Sequence, residues 1–233
     1  MCTRTNGIII AIDGPSGAGK STVARLLAEH LGYLQIDTGA MYRAAALLIA
    51  QAGIDLDDQT TLEGFCNRLD IRLDIHDGRQ RVIANGSDVT NQIRTPEMSL
   101  LTSHTSALKP VRDALLKSQR LMGIQGGVVL EGRDIGTVVF PDAELKFYLI
   151  ASAEERGRRR YQELTLKGEQ VDLVTTIAEV IARDQQDTGR DLAPLRQAED
   201  AIAIDSSHLT LDEVLAQMMT IFHQKAQPTG STL

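Results

Sequence analysis

The segment Gly14-Pro15-Ser16-Gly17-Ala18-Gly19-Lys20-Ser21 fits G-x-x-x-x-G-K-[ST], and it constrains the fold more than any other part of the chain. An apolar run, Ile8-Ile9-Ile10-Ala11-Ile12, precedes it and reads as a buried strand. Thr22 and the residues up to Glu29 follow with the spacing of an amphipathic helix. Strand, glycine loop and helix in that order make the pattern a phosphate site. Loop N–H groups point inward at phosphate oxygens, and the helix N-terminus adds positive potential. Lys20 is then placed to reach the β- and γ-phosphates, and the Ser21 hydroxyl to ligate Mg²⁺.

Strand-like runs alternate with helical patterns over most of the length, which predicts a parallel sheet covered on both faces. The expected strands are 7–13, 33–37, 127–131, 145–150 and 201–205. The expected helices are 20–31, 39–52, 96–107, 110–122, 153–166, 171–186 and 210–223. Ligands of such sheets bind beyond the carboxyl ends of the strands, where Asp13, Asp37, Glu131 and Asp134 fall. One stretch differs. Ile71-Arg72-Leu73-Asp74-Ile75 alternates, and the turn dipeptides Asp77-Gly78 and Asn85-Gly86 bracket Gln80 to Ala84. That is the pattern of a small antiparallel meander. The 233 residues, 42% of them hydrophobic, suit a single domain over 1–233, with an insert at 64–95 that covers the edge of the site.

A net charge of −7 argues against a broad nucleic-acid-binding face. Arginine nevertheless outnumbers lysine, 18 to 6, and its planar fork matches phosphate oxygens two at a time. Together these point to a small phosphorylated ligand. Two cysteines, Cys2 and Cys66, make no disulfide framework. No apolar run is long enough for a membrane span, and the first residues run straight into the first strand without the pattern of a signal peptide. A cytoplasmic protein that acts as a monomer, with no nucleic-acid or membrane partner, is the expectation. The tail from Gln227 to Leu233 is expected to fray.

The other loops must specify the reaction. Glu131 ends an apolar strand, a place for an acid that holds Mg²⁺ directly or through water; an ordinary strand-end acid is the plain alternative. Arg133 offers a cation for phosphate and Asp134 an acceptor for an exocyclic amine, unless the two form a surface ion pair. Thr38 is a candidate cap for the following helix. Arg43, one turn in, either holds an acceptor anion or is solvated. Arg183 and Asp187 are i,i+4 neighbours if helical, and Gly189 can end that helix and leave Arg190 on a mobile loop, a short lid over 183–193. In the run Arg156, Arg158, Arg159 and Arg160, Arg158 reads as a solvated residue and the other three as facing the donor phosphates or purine. The histidines lack metal-ligand spacing, and His104 reads as a satisfied polar residue.

The glycine loop, Ile36-Asp37-Thr38-Gly39-Ala40-Met41-Tyr42-Arg43, the block Gly132-Arg133-Asp134-Ile135-Gly136-Thr137-Val138-Val139-Phe140-Pro141 and the Arg183–Arg190 cluster together resemble the bacterial cytidylate kinases, over about residues 8–223. The meander matches that family's insert. One departure is minor: the loop ends Gly-Lys-Ser-Thr, where some relatives have Gly-Lys-Gly-Thr. The resemblance implies an α/β P-loop kinase fold with a parallel five-stranded sheet flanked by helices and a small antiparallel β insert. It implies transfer of the γ-phosphoryl group of ATP, with Mg²⁺, to CMP or dCMP. Donor contacts would come from Gly14 through Thr22 and from Arg159. Acceptor contacts would come from Thr38, Arg43, Ser103, Arg112, Arg133, Asp134, Arg183, Asp187 and Arg190. Within these, Ser103, Arg112 and Asp134 match residues that read cytosine, Arg43 and Arg133 match phosphate holders, and Arg183 with Asp187 match residues near the sugar. Lys20, Arg133, Arg183 and Arg190 would act on the transferring group.

An arginine-rich, histidine-poor inventory suits this chemistry. A phosphomonoester acceptor is already anionic near pH 7, so no general base is needed, only cations that neutralise two converging anions. Two other readings stay open at the level of sequence. A kinase acting on a small-molecule hydroxyl needs a carboxylate to orient the alcohol, and Asp37 stands where one could be. A guanine-nucleotide switch usually carries Asn-Lys-x-Asp, and no Asn-Lys dipeptide occurs here.

Overall fold

The computed structural model of the chain describes residues 4–76 and 79–226. The expected Asp77-Gly78 turn, Cys2 and the tail from Gln227 lie outside the described residues. Two bodies divide the described chain: 4–35, 125–189 and 193–226 form the first, and 36–76, 79–124 and 190–192 the second.

The first body is built on the parallel sheet. The sheet's strands are β1 (Ile9–Asp13), β2 (Leu34–Asp37), whose last two residues belong to the second body, β6 (Val128–Gly132), β7 (Leu145–Ile150) and β8 (Ile202–Asp205), in the order β2-β6-β1-β7-β8. β1 pairs in parallel with β6, Ile10 opposite Val129, and with β7, Ile12 opposite Phe147; β7 pairs in parallel with β8. Every residue of β1 and β6 is buried, because helices cover both faces of such a sheet. These helices are α1 (Lys20–Leu31), α6 (Ala153–Leu166), α7 (Leu173–Gly189) and α8 (Leu211–Ala226). Val23, Ala24, Leu27 and Ala28 turn one face of α1 into the core against Ile10, Ile12 and Phe147, a spacing of three and four residues as the helical period requires. α6 starts at the cap Ser152, whose hydroxyl accepts from the Glu155 N–H. Gly157 lets α7 approach closely: a Cβ there would lie 2.4 Å from Ile177 Cγ1.

The second body contains α2 (Thr38–Gln51), α3 (Gln59–Cys66), the antiparallel strands β3 (Ile71–His76), β4 (Arg79–Ala84) and β5 (Ser87–Asp88), then α4 (Pro96–Thr105) and α5 (Lys109–Gly123). The meander forms as its alternation predicts: Ile71, Val82 and Ala84 are buried while Arg72 and Asp74 are exposed. Ala40, Ala44, Ala45 and Ala46 keep α2 slim where it packs on α4, α5 and the meander.

The expected strands and helices form within a few residues of the expected ends. α7 is shifted, to 173–189. α3 was not expected. Its apolar residues Leu62, Phe65 and Cys66 have helical spacing, and its cap Asp58 accepts from the Thr61 N–H.

Candidate active site

The glycine loop joins β1 to α1 in the first body. Gly14 has φ +146°, and a Cβ there would come within 2.0 Å of the Leu149 carbonyl oxygen, so no side chain fits. Lys20 opens α1 and is buried; its Nζ donates to the Pro15 carbonyl at 2.6 Å. Burial, first, and then the charge of Arg133 hold the Lys20 pKa well below that of a free lysine; Arg183 adds to the fall, while Glu131 and Asp13 oppose it. Three cations thus crowd one place, and an anion there relieves their mutual repulsion. Ser21 Oγ donates to Glu131 Oε2 at 2.7 Å, and Gln35 Nε2 donates to Glu131 Oε1 at 3.2 Å. The two residues expected to hold a divalent ion are therefore neighbours.

Asp13, at the end of β1, accepts from the backbone N–H groups of Ile135 (2.8 Å) and Gly136 (2.7 Å). It thereby anchors a π-helical turn, Ile135–Val139, directly after Arg133 and Asp134. Burial lifts the Asp13 pKa to about 6, with those two hydrogen bonds opposing the rise. The Asp134 side chain is buried, and its carbonyl accepts from Val138 and Val139 N–H. Arg133 Nε donates to Asp187 Oδ2 at 2.8 Å, so these two expected site residues meet across 54 positions of sequence rather than standing as a surface pair with Asp134. Arg183, one turn before Asp187 on α7, lies with Nη1 3.4 Å from Ser16 Oγ.

The arginine run on α6 divides. Arg158 is exposed beside Glu155, as expected. Arg160 pairs with Glu163. Arg159 donates to Glu155 and to the Ser206 carbonyl, and Ser206 Oγ donates in turn to the Ala18 carbonyl of the glycine loop. Arg156 departs from the expectation that it faces the donor. It is buried, and its guanidinium is committed to Asp184, to the Ser16 carbonyl and to the Ala151 carbonyl.

In the second body the α2 cap is Asp37, not Thr38. Asp37 Oδ1 accepts from the Ala40 N–H at 2.8 Å, and its extended backbone (φ −81°, ψ 91°) is that of a cap, while Thr38 is already the first helical residue. Asp37 Oδ2 accepts from Arg43 Nη2 at 3.1 Å. The Arg43 Nε is buried with no hydrogen-bond partner among the described residues. Arg112 donates to the Ser106 carbonyl at 3.1 Å and lies 5.5 Å over the Tyr42 ring. Ser103 is half-buried on α4, and His104 is exposed there. Arg190 follows the last residue of α7, Gly189, as expected.

The geometry therefore joins Lys20, Ser21, Glu131, Arg133, Arg183 and Asp187 within the first body and places Thr38, Arg43, Ser103, Arg112 and Arg190 in the second. Comparison with known proteins gives the family. The model of the family "Cytidylate kinase" matches residues 10–224. The chain belongs to the cytidylate kinase family. Proteins named cytidylate kinase from Geobacter sp. (strain M21), Geobacter sulfurreducens and Bacillus subtilis are 62%, 58% and 46% identical over 216, 223 and 218 residues. These alignments cover 92%, 96% and 94% of this chain and 92%, 96% and 97% of the relatives. A solved structure of shikimate kinase from Acinetobacter baumannii in complex with shikimate aligns over 95% of this chain and 96% of its own, with a TM-score of 0.46 at 16% identity, too remote to carry an argument. Sequence reasoning gave no role to Asp13 or Asp184 and did not foresee the bonds of Arg156 to Asp184 and to the Ser16 carbonyl. Asp13 alone had a signal, an acid at the carboxyl end of a strand.

Proposed function

We propose that this chain transfers the γ-phosphoryl group of ATP to CMP or dCMP, giving ADP and CDP or dCDP. Membership of the cytidylate kinase family over nearly the full length is the observation that carries this reading. The glycine loop from Gly14 to Thr22 holds the donor phosphates, Lys20 the transferring group, and Arg159 the nucleoside end of ATP. Arg43 and Arg133 hold the acceptor phosphate, Ser103, Arg112 and Asp134 read the cytosine, Arg183 and Asp187 lie near the sugar, and Thr38 is a further acceptor contact. Arg190 closes on the phosphates as part of a short lid over 183–193, and residues 64–95 act as an acceptor-binding insert in a single kinase domain. The protein works as a cytoplasmic monomer.

The chemistry needs placement and charge rather than a base. Both reacting groups are anions, and Lys20, Arg133, Arg183 and Arg190 supply fixed positive charge that costs no reorganisation when the bond is transferred. Ser21 and Glu131 fit an Mg²⁺ ion: the donors are all oxygen, and no cluster of three or more His, Cys, Asp or Glu exists among the described residues to form an all-protein cage. That matches the habit of Mg²⁺ to take few protein ligands plus substrate phosphates. When bound, the ion supplies charge neutralisation at the phosphate oxygens.

Phosphorylation of a hydroxyl is not favoured. It needs a free carboxylate, and both oxygens of Asp37 are taken up by the α2 cap and Arg43. Offering CMP, dCMP, UMP, AMP and small alcohols in parallel, and following ADP formation, tests the reading. Turnover with CMP and dCMP well above the others is expected. ADP release driven by an alcohol but not by CMP would overturn it.

A further inference from the structure

The buried Arg156 guanidinium makes four hydrogen bonds. Its fork grips Asp184 with two bonds, Nη1 to Oδ1 at 2.9 Å and Nη2 to Oδ2 at 2.5 Å. Nη1 also donates to the Ser16 carbonyl of the glycine loop at 3.1 Å, and Nε to the Ala151 carbonyl at the end of β7 at 2.8 Å. The Arg156 side chain is 5% exposed and the Asp184 side chain 24%. One planar group therefore ties three elements together: the donor loop, the sheet and α7. Packing points the same way. A Cβ on Gly17 would meet Arg156 Cβ at 3.1 Å, so the loop rests on the first turn of α6, and Gly157 brings that turn against Ile177 of α7.

The neighbours of Asp184 on α7 give the brace a purpose. Arg183 approaches Ser16 Oγ, on the same loop residue whose carbonyl Arg156 holds. Asp187, one turn on from Asp184, accepts from Arg133. A shift of α7 by one ångström displaces both together, and misplacement of that size costs about 100-fold in rate.

We infer that Arg156 and Asp184 are positioning residues that couple the seating of the donor loop to the placement of Arg183 and Asp187 on α7. The inference rests on the kinase reading above, but its physical content is separate: filling the loop with ATP must be felt along α7. Only Arg can do this at position 156, since lysine keeps the charge but cannot span two carbonyls and a carboxylate in one plane.

The test uses the full chain with Asp184→Asn, Arg156→Lys, and the paired change Arg156→Met with Asp184→Leu. The pair leaves no lone buried charge, so it restores thermal stability where a single change lowers it. The expected result is a kcat lowered about 100-fold in all three, the stable pair included, with ATP KM changed less than about threefold, because placement rather than donor binding is lost. In an Arg183→Ala background Asp184→Asn should cost far less than it does alone, since the two act as a unit. Recovery of both stability and kcat in the paired variant would reduce the brace to a stabilising ion pair and overturn the inference. Hydrogen exchange of residues 173–189 supplies a readout that needs no acceptor. ATP alone should raise protection there in the wild type and not in Asp184→Asn; equal responses, or none in the wild type, would also overturn it. Failure of the wild type to turn over CMP would instead strike the kinase reading and leave the exchange result standing.

Discussion

The two bodies hold their charged groups by different means. In the first, the bonds run between distant parts of the chain: Ser21 to Glu131, Asp13 to Gly136, Arg156 to Ser16. In the second, two of the site arginines make local bonds. Arg43 pairs with Asp37 six residues away, and Arg112 donates to Ser106, also six away. A cation fixed by long-range bonds keeps its place because the whole fold defines it, so charge is preorganised for transfer. A cation held by one turn of helix can trade its partner for a ligand oxygen without unmaking tertiary structure. The first arrangement suits a triphosphate whose geometry is always the same, the second an acceptor that must be admitted, tested and released.

Substitution in the first body should therefore cost chemistry and stability together, and in the second it should cost acceptor affinity alone. The largest effect is expected at Lys20. Lys20→Ala should lower kcat about 1,000-fold or more, by loss of a fixed cation at the transferring phosphate, while circular dichroism shows the fold retained. A folded variant with more than about a tenth of the wild-type rate would remove Lys20 from the transfer step.

Asp13 comes next, and its sign is the reverse of an ordinary paired carboxylate. Its folded pKa is about 6, against 3.8 for a free aspartate. Between those values the folded protein holds a proton that the unfolded chain has released, so this group's contribution to stability falls as pH rises. At about 1.4 kcal/mol per pH unit the loss is about 3 kcal/mol across the window. Asp13→Asn cannot accept from both Ile135 and Gly136 and should be less stable at every pH, but the part of the pH dependence that Asp13 contributes should vanish. Urea unfolding of both proteins at pH 4, 5 and 6 measures this: the stability advantage of wild type over Asp13→Asn should shrink as pH rises. A constant difference would mean that Asp13 titrates as it does in the unfolded chain.

The same contrast explains what could be read in the sequence. The donor loop is contiguous, so its residue types and spacing are enough, and the apolar runs of β1, β6 and β7 announce strands buried on both faces. The meander is legible for the opposite reason, a strict alternation along β3. Long-range bonds leave no such trace. Arg156 and Arg158 look alike in a basic run, and only burial against the loop separates a brace from a solvated residue. Asp37 and Thr38 are both good caps by composition; the backbone at Asp37, extended rather than helical, decides between them. α3, eight residues long, is shorter than the window over which periodicity is persuasive. Arg133 and Asp187 were each legible as candidate site residues, whereas their pairing was hidden by a separation of 54 positions.

Arg43 tests the second half of the comparison. Its side chain is 26% exposed and its ion pair with Asp37 is local, and such pairs contribute little to stability. Arg43→Ala should lower kcat/KM for CMP about 100-fold, the range of a charged hydrogen bond lost to the acceptor phosphate, and shift Tm by less than about 2 °C. A large fall in Tm would show that Arg43 is part of the framework, and the contrast between the bodies would fail there.

The smallest effect expected is one of discrimination, at Asp134. This residue belongs to the first body, yet the proposed role faces the acceptor: its carboxylate accepts from the exocyclic amine of cytosine, a group that uracil lacks. The backbone of Asp134 already serves the π-helical turn through its carbonyl, which accepts from Val138 and Val139. A change of side chain therefore leaves the turn its hydrogen bonds. A site that pairs its own polar group with the substrate rejects an analogue that leaves that group unpaired. Asp134→Ala removes the group and with it the penalty against UMP, so the CMP-to-UMP ratio of kcat/KM should fall about tenfold, the lower end of what one hydrogen bond to a charged group supplies. Asp134→Asn sharpens the reading. Its amide can accept from the cytosine amine or, turned over, donate to the uracil carbonyl, so it should keep more CMP activity than the alanine variant and still lose discrimination. An unchanged ratio in both variants, with activity retained, would move cytosine recognition wholly to Ser103 and Arg112, and would place base reading entirely within the second body.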